Sequence, residues 1–126
     1  PRRVGAVIYL LDSVILIDHF NNIEGATTFL REHRGDAAIS AITRAEVLTG
    51  FDEVRRALPA RLLDAFVCLS VDRATADLAA HLRREHRWKL PDAIQAAVAQ
   101  HHGLKLVTRN TKDFPPDVFD FVLTPY

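Results

Sequence analysis

Apolar residues gather along this chain in short continuous runs and in helical stripes, and their alternation predicts an order of elements. Val7 to Leu11 is apolar at every position and ends at Asp12 and Ser13. A run without a polar face suits a central parallel strand. Val14 to Phe20 reads as a helix broken at Asn21-Asn22, and a short helix follows over about 25–32. Ala37 to Ser40 reads as a second strand, and Ile42 to Thr49 as a helix stopped near Gly50. A helix is expected over 52–58, interrupted by Pro59 and resumed over 61–66. Val67 to Val71 reads as a strand in which Cys68 is a small buried hydrophobe. Asp72 caps a long helix with Ala74, Leu78 and Leu82 on one stripe. Pro91 suits a first helical position, and an Ala-rich helix runs from Asp92 to His102, closed by Gly103. Leu104 to Thr108 and Phe121 to Leu123 are the last strands. Strands alternating with helices imply an α/β fold, a parallel sheet covered on both faces. In such sheets ligands bind beyond the carboxyl ends of the strands.

Composition narrows the classes. With 126 residues, 48% hydrophobic and 25% charged, the chain reads as one folded domain over 1–126. Sixteen basic residues balance sixteen acidic ones, which argues against a whole-surface nucleic-acid binder and leaves room for a local basic rim. One cysteine excludes an internal disulfide and a multi-cysteine zinc site, pointing to a cytoplasmic location. The longest apolar run, Val4 to Leu11, is far short of the ~18 residues of a membrane span. Pro1-Arg2-Arg3 before that run resembles a signal peptide on the surface, but Asp12 breaks the run and no small-x-small cleavage pattern follows.

Four acids stand at element junctions: Asp12 after the first strand, Glu46 in the helix after the second, Asp92 opening the Pro91 helix, and Asp113 in the loop after the 104–108 strand. Each has a structural reading. Asp12 could be a helix cap, and Thr43-Arg44-Ala45-Glu46 matches a capping box. Asp92 could complement a helix dipole, and Asp113 could form a turn. A parallel sheet, however, brings these junctions to one edge. Carboxylates that converge repel one another and raise each other's pKa. A divalent cation keeps them ionised, and all-oxygen ligation selects Mg²⁺ or Mn²⁺. Water activated by such an ion can attack phosphorus.

Four segments, in order, resemble the motifs of PIN domains, most closely the VapC toxins of toxin–antitoxin pairs. They are Leu10 to Asp18, Ile39 to Gly50, Leu90 to Ala97 and Leu106 to Phe114. The resemblance implies a PIN-like α/β/α sandwich with a central parallel sheet of four to five strands. It implies a Mg²⁺- or Mn²⁺-dependent endoribonuclease and a cognate VapB-like antitoxin that blocks the acidic site with a basic side chain. Asp12, Glu46 and Asp92 match the family's acidic triad. The fourth acid falls at the position of Asn110 or Asp113, and only Asp113 is acidic here. Asp12 and Asp92 are expected to ligate metal directly, with Glu46 and Asp113 holding metal-bound water. Ser13 replaces the usual Thr, and Val14 stands where a small polar residue is common.

Arg83-Arg84-Glu85-His86-Arg87-Trp88-Lys89 is the densest basic stretch and leads into Asp92. Arg84 and Arg87, with Arg44, Arg109 and Lys112, are candidate phosphate contacts, and Ser13, Thr108 and Asn110 candidate substrate-site groups. Trp88 could stack on a base or anchor its loop in the core. Phe51, Val54, Leu58, Leu62, Leu63 and Phe66 are more apolar than a surface arm needs, so core burial is the default. The resemblance adds the prospect that part of this segment grips an antitoxin or a second copy in a homodimer. A two-component receiver domain, doubly wound and Mg²⁺-binding, is the rival from another class. It lacks support in Asp12-Ser13, where an acid pair is needed, and in Ile39-Ser40. A catalytically silent PIN module is the second alternative.

Overall fold

The computed structural model describes residues 7–126; the segment 1–6, with Pro1-Arg2-Arg3, lies outside the described residues. Five strands, β1 (Tyr9–Leu11), β2 (Ala37–Ser40), β3 (Val67–Leu69), β4 (Lys105–Val107) and β5 (Val122–Leu123), form one sheet in the order β3-β2-β1-β4-β5. Every neighbouring pair is parallel. The chain steps outward from β1 through β2 to β3, then returns to the opposite side of β1 for β4. That reversal opens a crevice at the carboxyl ends of β1 and β4, the place where doubly wound sheets bind ligands. A receiver domain has the order β2-β1-β3-β4-β5, so the sheet rules that alternative out.

Alternation along the strands explains their unbroken apolarity. Leu10 faces one layer, with Ala38, Leu106 and the buried Ala93, Ala96 and Ala97. Leu11 faces the other, with Ile39, Val107, Ile15, Leu16 and Leu63. The first layer is built by α5 (Arg73–His86) and α6 (Leu90–His101). The second is built by α1 (Ser13–Phe20), α2 (Glu24–His33), α3 (Ala41–Thr49) and α4 (Ala57–Leu63). This is an α/β/α sandwich. Among the described residues no helix is long and apolar enough to cross a membrane.

Several local expectations need correction. Residues 53–55 form a turn rather than a helix, α4 ends at Leu63 rather than at 66, and Pro59 does not interrupt it. It lies buried in the first turn of α4, where its missing N–H has no intrahelical acceptor to lose. The buried stripe of α5 is Thr75, Ala79 and Leu82, with Leu78 partly buried; Ala74 is exposed. Cys68 is exposed, because three-residue β3 is an edge strand whose middle side chain points outward. Glu46 does not close a capping box. The cap of α3 is Ser40, whose Oγ accepts from the Thr43 amide at 3.1 Å. Of the apolar arm, Leu63 and Phe66 are core, whereas Val54 and Leu58 are 89% and 72% exposed.

A close approach pins Tyr126 to α2. A Cβ on Gly25 would stand 2.8 Å from the Tyr126 ring. Gly25→Ala should therefore cost about 1–3 kcal/mol through overpacking, against the small gain a helical alanine otherwise brings. Urea denaturation checks this; an unchanged or higher midpoint would refute the contact.

Candidate active site

Asp12 is both the cap of α1 and the centre of the site. Its backbone is extended, and its Oδ1 accepts from the Ser13 amide at 2.9 Å. Two further donors converge on the same carboxylate. Gln95 Nε2 reaches Oδ1 at 3.2 Å, and Thr108 Oγ1 donates to Oδ2 at 2.7 Å. The Asp12 side chain is thus fixed from α1, α6 and the end of β4.

Gln95 is the hub behind it. It is buried to 1% exposure among alanines and valine of α6. Its Oε1 accepts from Ser40 Oγ at 2.6 Å, and its Nε2 also donates to Thr43 Oγ1 at 2.6 Å. Thr43 Oγ1 in turn donates to the Leu11 carbonyl at 3.1 Å. The amide orientation follows from chemistry: an ionised Asp12 only accepts, so the nitrogen must face it. Every polar atom of this buried network has a partner, which locks β2, α3 and α6 around the end of β1.

The other acids surround this hub. Asp92, in the first turn of α6, has its pKa raised to about 6, first by desolvation and then by the charges of Asp12, Asp113 and Glu46, with Lys89 opposing. Glu46 is pushed up by desolvation; a hydrogen bond from Ser13 opposes this and the Asp12 charge adds to it. The Glu46 residue as a whole remains exposed, so the consequence for folding is small. Asp113 is held by Asn110, whose Nδ2 donates to Oδ2 at 3.0 Å, while the Asp113 amide donates back to Asn110 Oδ1 at 3.3 Å. Asn110 and Asp113 are therefore partners.

The four acids share one electrostatic field at the carboxyl edge of the sheet. Residues 9–115 match the PIN domain family. The chain belongs to that family. This PIN domain is 32% identical to ribonuclease VapC10 of Mycobacterium tuberculosis, over 93% of this chain and 92% of the relative. Its fold matches a toxin–antitoxin complex from Klebsiella pneumoniae with a TM-score of 0.84 and 39% identity, covering 94% of this chain and 98% of the matched one. The FitAcB structure from Neisseria gonorrhoeae has the same fold, with a TM-score of 0.78 at 23% identity, over 94% and 98% of the two chains.

Not every candidate in this PIN domain faces open space. Thr108 is fully buried and serves Asp12 rather than a ligand. Arg109 is turned to Asp18: Nε donates to Oδ2 at 2.5 Å and one terminal nitrogen to Oδ1 at 3.1 Å, with Tyr126 Oη also donating to Oδ2 at 2.8 Å. Arg109 thereby holds the Asp18 carboxyl below its usual range. Arg44 pairs with Asp64 at 2.8 Å on the surface. Trp88 is buried, as a core anchor is, and its indole Nε1 donates to the Asp113 carbonyl at 3.0 Å. Arg84, Arg87 and Lys112 stay exposed. Sequence reasoning passed over Gln95 and Thr43. The available signal was spacing: Gln95 is three residues beyond Asp92, on the same face of α6.

The donor set suits a hard divalent cation, being made of oxygens alone. Among the described residues no three Asp, Glu, His or Cys side chains form a group able to hold a metal by themselves. Mg²⁺ asks for less, since one or two carboxylates suffice when waters and substrate phosphate complete its shell. Asp12, the first of the charges that raise Asp92, and Asp92 itself are the pair that would meet that smaller requirement.

The raised pKa of Asp92 gives a pH prediction for metal-free protein. The folded state binds this proton more tightly than the unfolded chain, whose Asp titrates near 3.8. Stability associated with Asp92 is therefore greatest below pH ~4 and is lost as the pH rises to about 6. In chelator, the melting temperature of the wild type should fall across that window relative to Asp92→Asn. Parallel curves would show that Asp92 does not feel its neighbours.

Proposed function

We propose that this PIN domain is a Mg²⁺- or Mn²⁺-dependent endoribonuclease and the toxin of a VapBC-like toxin–antitoxin pair. The observation that carries the reading is the electrostatic coupling of Asp92 to Asp12, Glu46 and Asp113 across four separate elements. A fold has no structural need for four acids to share one field, and metal-assisted phosphodiester hydrolysis makes use of one. Similarity to a ribonuclease and to a toxin–antitoxin complex supports the same conclusion.

Asp12 and Asp92 would hold the cation, which supplies charge neutralisation and an acidified water when bound. The chain's own residues do the rest. Gln95 and Thr108 keep the Asp12 carboxylate aimed. Glu46 or Asp113 takes the proton of the attacking water as its oxygen bonds to phosphorus and the bond to the departing ribose oxygen breaks, that oxygen taking a proton from solvent water. Ser13 orients Glu46 and Asn110 orients Asp113. Exposed Val54 and Leu58 offer an apolar surface for the antitoxin or a second copy, consistent with a homodimer, and a basic antitoxin side chain would neutralise the acidic field.

Incubation of end-labelled RNA with the protein and Mn²⁺, with and without excess chelator, tests the activity. Internal cleavage that chelator stops is expected. Intact RNA under both conditions, with the protein folded, would leave a silent binding module; cleavage indifferent to chelator would remove the metal.

A further inference from the structure

Three arginines at the end of α5 remain outside the acidic centre. Arg83, Arg84 and Arg87 line one open depression of about 390 Å³, and among the described residues no other lines it. Neither Arg84 nor Arg87 has a side-chain partner among the described residues. The nearest acid in sequence, Glu85, is turned away, to His81 at 3.3 Å and to His86 at 2.9 Å. Arg83 is fixed in place, donating to the Trp88 carbonyl at 2.6 Å. None of the three contributes to the titration of Asp92, whereas Lys89 does. The cluster is thus distinct from the groups that set the charge state of Asp92.

Cations at a helix end complement its dipole, and that alone would explain a basic residue or two. It does not explain Arg87. This residue closes α5 in the left-handed region, at φ 60° and ψ 30°. Glycine takes that conformation freely, while a side chain there costs about 1 kcal/mol. A long cationic side chain in a strained position, beside two like charges and with no acid against it, is what an anionic ligand would account for.

We propose that Arg83, Arg84 and Arg87 form a cradle for a backbone phosphate of the RNA, away from the scissile bond. The proposal rests on the nuclease reading. Guanidiniums grip phosphate oxygens in paired hydrogen bonds and carry no sequence information, so the cradle sets register and affinity rather than cleavage preference. Trp88 connects it to the acids. The Trp88 carbonyl accepts from Arg83, and its indole donates to the carbonyl of Asp113. Arg83 and the Asp113 loop are thus tied to the same buried residue.

The test is the salt dependence of RNA binding, measured by fluorescence anisotropy with a labelled single-stranded RNA of mixed sequence in chelator. Arg83 is left intact because it also holds Trp88. For Arg84→Ala/Arg87→Ala, the slope of log affinity against log salt should fall by about 0.7, the loss of one neutralised phosphate on a single strand. The loss should be equal for unrelated RNA sequences. Arg87→Gly separates function from folding: its melting temperature should equal or exceed the wild type's, while RNA binding weakens. An unchanged slope in a double variant that still cleaves RNA overturns the cradle alone. So does a loss confined to one RNA sequence, which would mean a base contact, or polyglutamate competing as well as RNA, which would mean an acidic protein partner. A wild type that binds no RNA removes the nuclease reading and the cradle with it.

Discussion

Asp12→Asn should reduce RNA cleavage below about one-thousandth of the wild-type rate, a larger loss than the 10- to 100-fold typical of groups that only orient a metal ligand. The fold should survive. Asparagine caps a helix as well as aspartate does, so its oxygen can keep the Ser13 amide at the start of α1. The change removes the negative charge that the other acids and a cation respond to. Asp92 should then titrate closer to its ordinary value, because one of the charges raising it is gone. Three measurements check the prediction: the cleavage rate in Mn²⁺, the circular dichroism spectrum and the urea midpoint. Asp92→Asn should give the same outcome from the first turn of α6. Retained Mn²⁺-dependent cleavage in both variants would reject the assignment of these two carboxylates.

What the sequence discloses here depends on the range of each interaction. The strands are legible because a strand covered on two faces must be apolar throughout, as Tyr9 to Leu11 and Lys105 to Val107 nearly are. The acids are legible because parallel topology places every strand end on one edge. Asp72 is legible as a cap because its partner, the Thr75 amide, lies three residues away. Long-range pairs leave no such trace. Nothing local marks the partner of Asp18 until Arg109, 91 positions later, is brought onto it. Arg109 reads as a free phosphate contact for the same reason. Pro59 shows a different limit. A proline breaks a helix only in its interior, and whether it falls in the first turn depends on where the preceding turns end, a boundary that composition does not mark.

Gln95 is the clearest case of a residue whose importance is visible only in three dimensions, and replacing it should have the second large effect. Gln95→Leu fills much the same volume in α6 but strips a donor from Asp12 and leaves Ser40 Oγ without its acceptor. Unfolding free energy should drop by about 2–4 kcal/mol, the sum of a broken buried network and unpaired polar groups. Cleavage should fall about 10- to 100-fold because Asp12 loses part of its orientation. Gln95→Glu distinguishes the two losses. When protonated, the new carboxyl can still accept from Ser40 and donate to Asp12, so folding and activity at low pH should approach the wild type. When ionised, it sets a second negative charge against Asp12 without a donor between them. Activity of Gln95→Glu relative to wild type should therefore fall as pH rises, while the ratio for Gln95→Leu stays level. Equal pH profiles for the two variants would mean that Gln95 supports the packing of α6 and α3 but does not aim the carboxylate.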